Sequence, residues 1–182
     1  MPERRGQTRA QTAIEQLLDG GDRRSIGRVS RAVRRAAQDA SIVDGLVAAL
    51  RSPRPLVCLR AADALEKISR RNATRLSTYR RKLLHWVAHT PDPVVRWNLI
   101  QILPRLDHGR SAIRRLARRL EVWFLTDASA IVRVSALEAV VAFAKRDASL
   151  KPVARRMVRE GLTAPAASVR ARARRLDRSL SR

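Results

Sequence analysis

Acidic residues are scarce in this chain: 16 Asp and Glu face 39 Lys and Arg, which leaves a formal net charge of +23 over 182 residues. An excess of this size repels itself and must be offset by core burial or by an anionic partner. Cysteine is nearly absent too. Cys58 stands alone, which excludes an internal disulfide and a cysteine metal cluster and agrees with a reducing compartment. Aromatic residues make up only 3%, which argues against a β-sandwich, whose strands favour aromatic and β-branched side chains. No apolar run approaches the roughly 18 residues that a membrane span needs. The opening Met1-Pro-Glu-Arg-Arg-Gly-Gln-Thr carries no apolar stretch of the secretory kind, so a cytoplasmic location is expected.

Ala, Leu, Val and Arg are abundant instead. The first three suit close packing of helices. Only Lys67, Lys82, Lys145 and Lys151 are lysine, so 35 of the basic residues are arginine. A GC-rich genome accounts for arginine over lysine but not for the shortage of acids.

Four segments align without gaps, beginning at Pro55, Pro93, Ala130 and Ala167. Their shared valines, Val57, Val95, Val132 and Val169, follow one another at steps of 38, 37 and 37 residues, the length of two helices and two turns. Four residues after each valine come Ala61, Leu99, Ala136 and Ala173, and eleven after it Ile68, Leu106, Phe143 and Leu180. Those offsets return to one helical face. Each segment therefore reads as an amphipathic helix of about four turns. Asp92 before Pro93 has the chemistry of an N-cap, and Ser129 and Thr163 lie near two other starts.

Further apolar stripes alternate with these helices: Ile42, Val43, Leu46, Val47 and Leu50; Leu76, Tyr79, Leu83, Trp86 and Val87; Ile113, Leu116, Leu120, Trp123 and Phe124; Leu150, Val153, Met157 and Val158. Trp86 and Trp123 are accordingly expected in the core, and Trp97 lies beside its stripe. Upstream, Ile26, Val29 and Val33 mark a helix from about Arg23 to Gln38, after a shorter one near Thr8 to Leu18. The Gly20-Gly21 pair separates them.

The Val-Arg-x-x-Ala pattern behind an Asp or Pro, as in Asp92-Pro-Val-Val-Arg-Trp-Asn-Leu and Ile131-Val-Arg-Val-Ser-Ala-Leu-Glu-Ala, resembles the second helix of HEAT repeats, and the chain from about Ser41 resembles small bacterial HEAT-repeat proteins. The resemblance implies an all-α fold, a right-handed α-solenoid of about four to five HEAT-like helix pairs. Residues 1–40 would form a basic N-terminal helical cap and residues 41–182 a single continuous array. It also implies that Asp92, Arg96, Arg133 and Arg170 support turns and neighbouring repeats. Cys58 replaces the arginine in the first clear repeat. The fold serves many unrelated partners, so it does not specify a function.

Signatures of catalysis are missing. Gly20-Gly-Asp-Arg-Arg-Ser lacks the spacing and ending of a phosphate-cradling P-loop, and there is no Gly-x-Ser-x-Gly elbow. His85 and His89 stand at i and i+4, a spacing that can serve a metal, but no third ligand is specified. Asn72-Ala-Thr74 matches a glycosylation acceptor, and helix capping explains both residues better. No catalytic residue, cofactor, metal or small-molecule substrate is expected.

Charge carries the rest. Arginines cluster at Arg23, Arg24, Arg28, Arg31, Arg34 and Arg35; at Arg80 and Arg81; at Arg114, Arg115, Arg118 and Arg119; at Arg155 and Arg156; and at Arg172, Arg174 and Arg175. Like charges at i and i+4 repel when no acid is interleaved. Such clusters suit phosphate groups, which arginine binds through two parallel hydrogen bonds. The expected function is a non-enzymatic scaffold that contacts nucleic acid or another polyanion without sequence specificity. A protein-interaction adaptor with an acidic partner is the alternative. A DNA glycosylase resembling the AlkD type is a lesser one, since Asp63, Glu138 and Trp97 only loosely match that family's Asp flanked by tryptophans. On the Val-Arg helices the exposed positions are expected to include Asp63, Glu66, Gln101 and Glu138 as well as Arg60, Lys67 and Arg105, a mixed face, so the outer helices and chain ends are expected to contribute most to phosphate binding.

Overall fold

In the computed structural model, which describes residues 9–20 and 27–180, these residues form ten α-helices and no strands. None of the described helices is long and apolar enough to cross a membrane. The chain divides into two compact units, Met1–Thr90 and Pro91–Arg182.

The first unit contains α1 (Arg9–Leu18), α2 (Gly27–Gln38), α3 (Ser41–Ala49), α4 (Pro55–Arg71), a 3-10 segment (Ala73–Tyr79) and α5 (Arg80–His89). Here α1 packs on α3 and α2 on α4, while α3 also meets α4. The result is two layers with α2 and α4 side by side. Pro55 opens α4 at a position where its missing N–H costs nothing. At the other end Asn72 leaves the helical conformation, and its side chain accepts a hydrogen bond from the Thr74 N–H at 3.1 Å.

The second unit contains α6 (Pro93–Ile102), a 3-10 turn (Leu103–Arg105), α7 (Arg110–Thr126), α8 (Ala130–Ala144), a second 3-10 turn (Ala148–Leu150), α9 (Lys151–Leu162) and α10 (Ala167–Leu180). Helices α6, α8 and α10 lie side by side, with α7 against α8, and α9 against both α8 and α10.

The valine register is the spine of the core. Val57, Val95, Val132 and Val169 are at most 1% exposed, and Ala61, Leu99, Ala136 and Ala173 are fully buried. Two sequence expectations need correction. The second Val-helix does not run four turns: α6 stops after ten residues and tightens into a 3-10 turn, because Pro104 has no N–H for the next helical bond. Leu106 is buried all the same, beyond the break. Trp86 and Trp123, both expected in the core, are only half-buried, and the Arg96 and Arg119 guanidinium groups lie over the Trp123 ring.

Candidate polyanion-binding surface

Several arginines serve the fold. Arg60 and Glu66 on α4, expected at exposed positions, are only 1% and 2% exposed, and Arg60 donates from Nη1 to the Leu18 and Gly20 carbonyls, both at 2.6 Å. It thus places positive charge at the carbonyl end of α1, where the helix dipole favours it. Gly20, with φ of +76°, supplies the left-handed turn there. Arg54 bridges Glu15 at 2.6 Å and Asp19 at 2.5 Å. The Gly20 N–H above all, followed by Arg54, holds the Asp19 carboxyl below its ordinary pKa.

The arginines that follow the repeat valines do comparable work in the second unit. Asp92 accepts from the N–H groups of Val94 at 2.7 Å and Val95 at 3.2 Å, capping α6; such a cap contributes about 1 kcal/mol. Arg96 pairs with Asp127 at 2.8 Å, and Asp127 in turn accepts from the Ser129 N–H at 2.8 Å. The Ser129 side chain itself makes no capping hydrogen bond. Arg133 donates from Nε to the Phe124 carbonyl at 2.8 Å in the last turn of α7. Arg170 reaches the carbonyls of Ala164 and Pro165 after α9. In the first unit Cys58, at the equivalent position, makes a weaker Sγ contact of 3.4 Å with the Leu50 carbonyl at the end of α3.

The arginines expected to meet phosphate fall into two groups. Arg23 and Arg24 lie outside the described residues. Arg28 donates to the Asp19 carbonyl, Arg114 pairs with Asp147 at 3.1 Å, Arg156 with Glu121 at 2.5 Å, and Arg172 with Glu138. Arg119 lies over the Trp123 ring, 5.4 Å from its centre, and Arg96 lies over the same ring at 5.6 Å. These five are held by the protein itself. Arg28, Arg114, Arg119 and Arg156 are nonetheless exposed, like Arg31, Arg34 and Arg35 on α2, Arg80 and Arg81 at the start of α5, Arg115 and Arg118 on α7, Arg155 on α9, and Arg174 and Arg175 on α10.

Carboxylates show the complementary pattern. Asp63 is bound by Lys67 at 2.9 Å, Glu66 by Arg70 at 2.6 Å, and Asp107 by Arg146 at 3.5 Å. Asp147 accepts from the Ser149 hydroxyl at 2.7 Å, which, with the Ser149 N–H and Arg114, keeps its pKa below the carboxylate norm. These carboxylates are thus engaged within the fold, and Arg115 and Arg118 on α7 and Arg174 and Arg175 on α10 make no ion pair among the described residues.

Two clefts of about 440 Å³ differ in charge. The one in the second unit, along α6, α8 and α10, is lined by Gln101, Arg105, Glu138 and Lys145 among others, a mixed set. The one in the first unit, between α2 and α4, is lined by Ser30, Val33, Arg34, Lys67, Arg70 and Arg71, so the charged side chains among its described lining residues are all basic. Lys67, Arg70 and Arg71 were not among the residues that sequence reasoning selected, because Asp63 and Glu66 on the same helix made the face read as mixed. The signal was present in the i, i+4 spacing of Asp63 with Lys67 and Glu66 with Arg70, which draws each carboxylate onto its own helix. Away from both clefts, His85 and His89 stack at 4.3 Å between ring centres, with His89 Nδ1 at 2.8 Å from the His85 carbonyl.

No protein family matches this chain, and no curated protein matches it. Among solved structures it is similar to the crystal structure of an engineered protein from the Northeast Structural Genomics Consortium, with a TM-score of 0.59 at 18% identity, over 96% of this chain and 80% of that one. At that identity the likeness concerns the fold alone.

Proposed function

We propose that the chain is a non-enzymatic binding module, a solenoid of HEAT-like helix pairs whose exposed arginines contact nucleic acid or another polyanion without sequence specificity. The observation that carries this reading is the engagement of the carboxylates within the fold, which leaves Arg115 and Arg118 on α7 and Arg174 and Arg175 on α10 facing solvent. Asp63 and Glu138, the carboxylates a glycosylase would need, are held by Lys67 and Arg172, which favours binding over catalysis.

Titrating the protein with mixed-sequence duplex DNA across a salt series tests the proposal. Affinity should fall with a log–log slope of about 0.9 for each phosphate contacted. Charge reversal at Arg115 and Arg118, which spares the Asp147 and Trp123 contacts of their neighbours, should reduce that slope by about 2 if both meet phosphate. Binding that ignores salt would defeat the reading. A protein-adaptor role finds support in Val122, Leu125 and Ile131, apolar side chains that are 55%, 56% and 39% exposed. A partner protein that co-purifies after nuclease treatment would favour it.

A further inference from the structure

Beside the basic α2/α4 cleft lies a smaller recess of about 210 Å³, lined by the apolar Val33, Ala36, Ala37 and Ile68 together with Arg71, Asn72 and Arg75. The two cavities share Val33 and Arg71, so a basic chamber and a largely apolar one stand side by side. Arg75 is fixed there by hydrogen bonds to the Ala36 and Ala37 carbonyls. Lys67 and Arg70 are positioned by their own carboxylates, with the Glu66 partner only 2% exposed. Arg34 and Arg71 make no ion pair among the described residues and are exposed.

We infer that this pair of cavities seats one nucleotide unit of a single-stranded nucleic acid, with the phosphate against Arg34 and Arg71 and the base in the recess that Arg71 also lines. The inference rests on the polyanion-binding reading and deepens it. A phosphodiester alone would use the cationic chamber and leave the apolar one empty. A flat heterocycle matches the smaller recess in size and in chemistry: its faces pack on aliphatic side chains, and an arginine guanidinium stacks on such rings. Bases inside a duplex are stacked and cannot enter, whereas single strands present them unstacked.

Fluorescence anisotropy on the full chain tests this, with a labelled oligothymidylate, a duplex of equal length, inorganic polyphosphate and anionic vesicles as probes. The paired change Arg34→Glu and Arg71→Glu should weaken oligothymidylate binding by about tenfold or more, since stacking and phosphate contact are lost together. It should do so more strongly than Arg115→Glu with Arg118→Glu. Ala37→Phe, which fills the recess without altering charge, should weaken oligothymidylate about fivefold, a fraction of one base's stacking, and leave polyphosphate unchanged. Far-UV circular dichroism verifies that each variant is folded. Equal loss of duplex and single strand in the Arg34/Arg71 variant, or an Ala37→Phe protein that binds oligothymidylate normally, overturns the nucleotide seat. So does vesicle binding that depends on Arg34 and Arg71 while oligonucleotide binding does not. If wild-type protein binds polyanions and the Arg34/Arg71 change has no effect, this inference fails alone. If it binds none of them, the proposed function fails as well.

Discussion

Helices α9 and α10 approach closely at Gly161, near the end of α9. A Cβ added there would stand 2.8 Å from the Cβ of Ala173 on α10, with Leu137 and Phe124 at 3.5 and 3.6 Å. Carbon atoms in contact prefer about 3.5–4.0 Å, so Gly161→Ala must push α9 from α10 by the better part of an ångström. Ala173 offers no rotamer through which to yield. Overpacking of this kind costs about 1–3 kcal/mol, against which the better helix propensity of alanine returns about 1 kcal/mol. Net destabilisation by about 1 kcal/mol is expected. In an Ala173→Gly background the opposing methyl is gone, and Gly161→Ala should become stabilising by about 1 kcal/mol. The coupling between the two changes is therefore about 2 kcal/mol, large for a single contact. Urea denaturation of the wild type, both single variants and the double variant, followed by circular dichroism, measures it. A coupling below about 0.5 kcal/mol, the usual error of additivity for unconnected sites, would refute the argument and mean that α9 and α10 are not in contact at these residues.

Arg60→Met should cost about 2–3 kcal/mol, because two hydrogen bonds from a charged donor to the end of α1 are lost, and amide exchange in α1 should rise with it. The exposed Arg51→Met is the control, with an expected change within about 0.5 kcal/mol; equal effects would remove Arg60 from its structural role. The single tyrosine, Tyr79, has its pKa raised to about 12, first by burial and then by its hydrogen bond to Asp44. A raised folded-state value means that its contribution to stability is intact below the unfolded pKa of about 10 and is lost as pH climbs towards 12. Tyrosinate absorbance should accordingly appear near pH 12 in the folded protein, earlier in Asp44→Asn, and Tyr79→Phe should flatten the loss of stability across that window.

Much of the fold is legible from local pattern. The stripe that opens at Val57, Val95, Val132 and Val169 depends only on helical geometry and on the exclusion of apolar side chains from water, so spacing alone places these residues in the core. The shortening of α6 was also readable, from Pro104. Asp92 as a cap followed from its place before Pro93. Trp123 was not readable in this way, because its surroundings include Arg96, 27 positions away in the sequence, whose guanidinium reaches the ring.

The same distance separates the two halves of the charge problem. By itself the sequence determined the net charge, the helical periodicity and which face of each helix is apolar, since all three are properties of composition or of neighbours within a turn. Which arginines remain outward was decided only by the tertiary structure. Arg60 finds the Leu18 carbonyl 42 residues back, Arg114 finds Asp147 33 residues on, and Arg156 finds Glu121 35 residues back. An arginine side chain is long and offers five donors, so its partner depends on which helix end or carboxylate the packing brings within reach. Arg115 and Arg118 stand next to Arg114 and Arg119 and have the same composition around them, yet they were left to solvent. The α2/α4 cleft has the same origin: two helices far apart in sequence pack side by side and set Arg34 facing Lys67, Arg70 and Arg71 across one cavity.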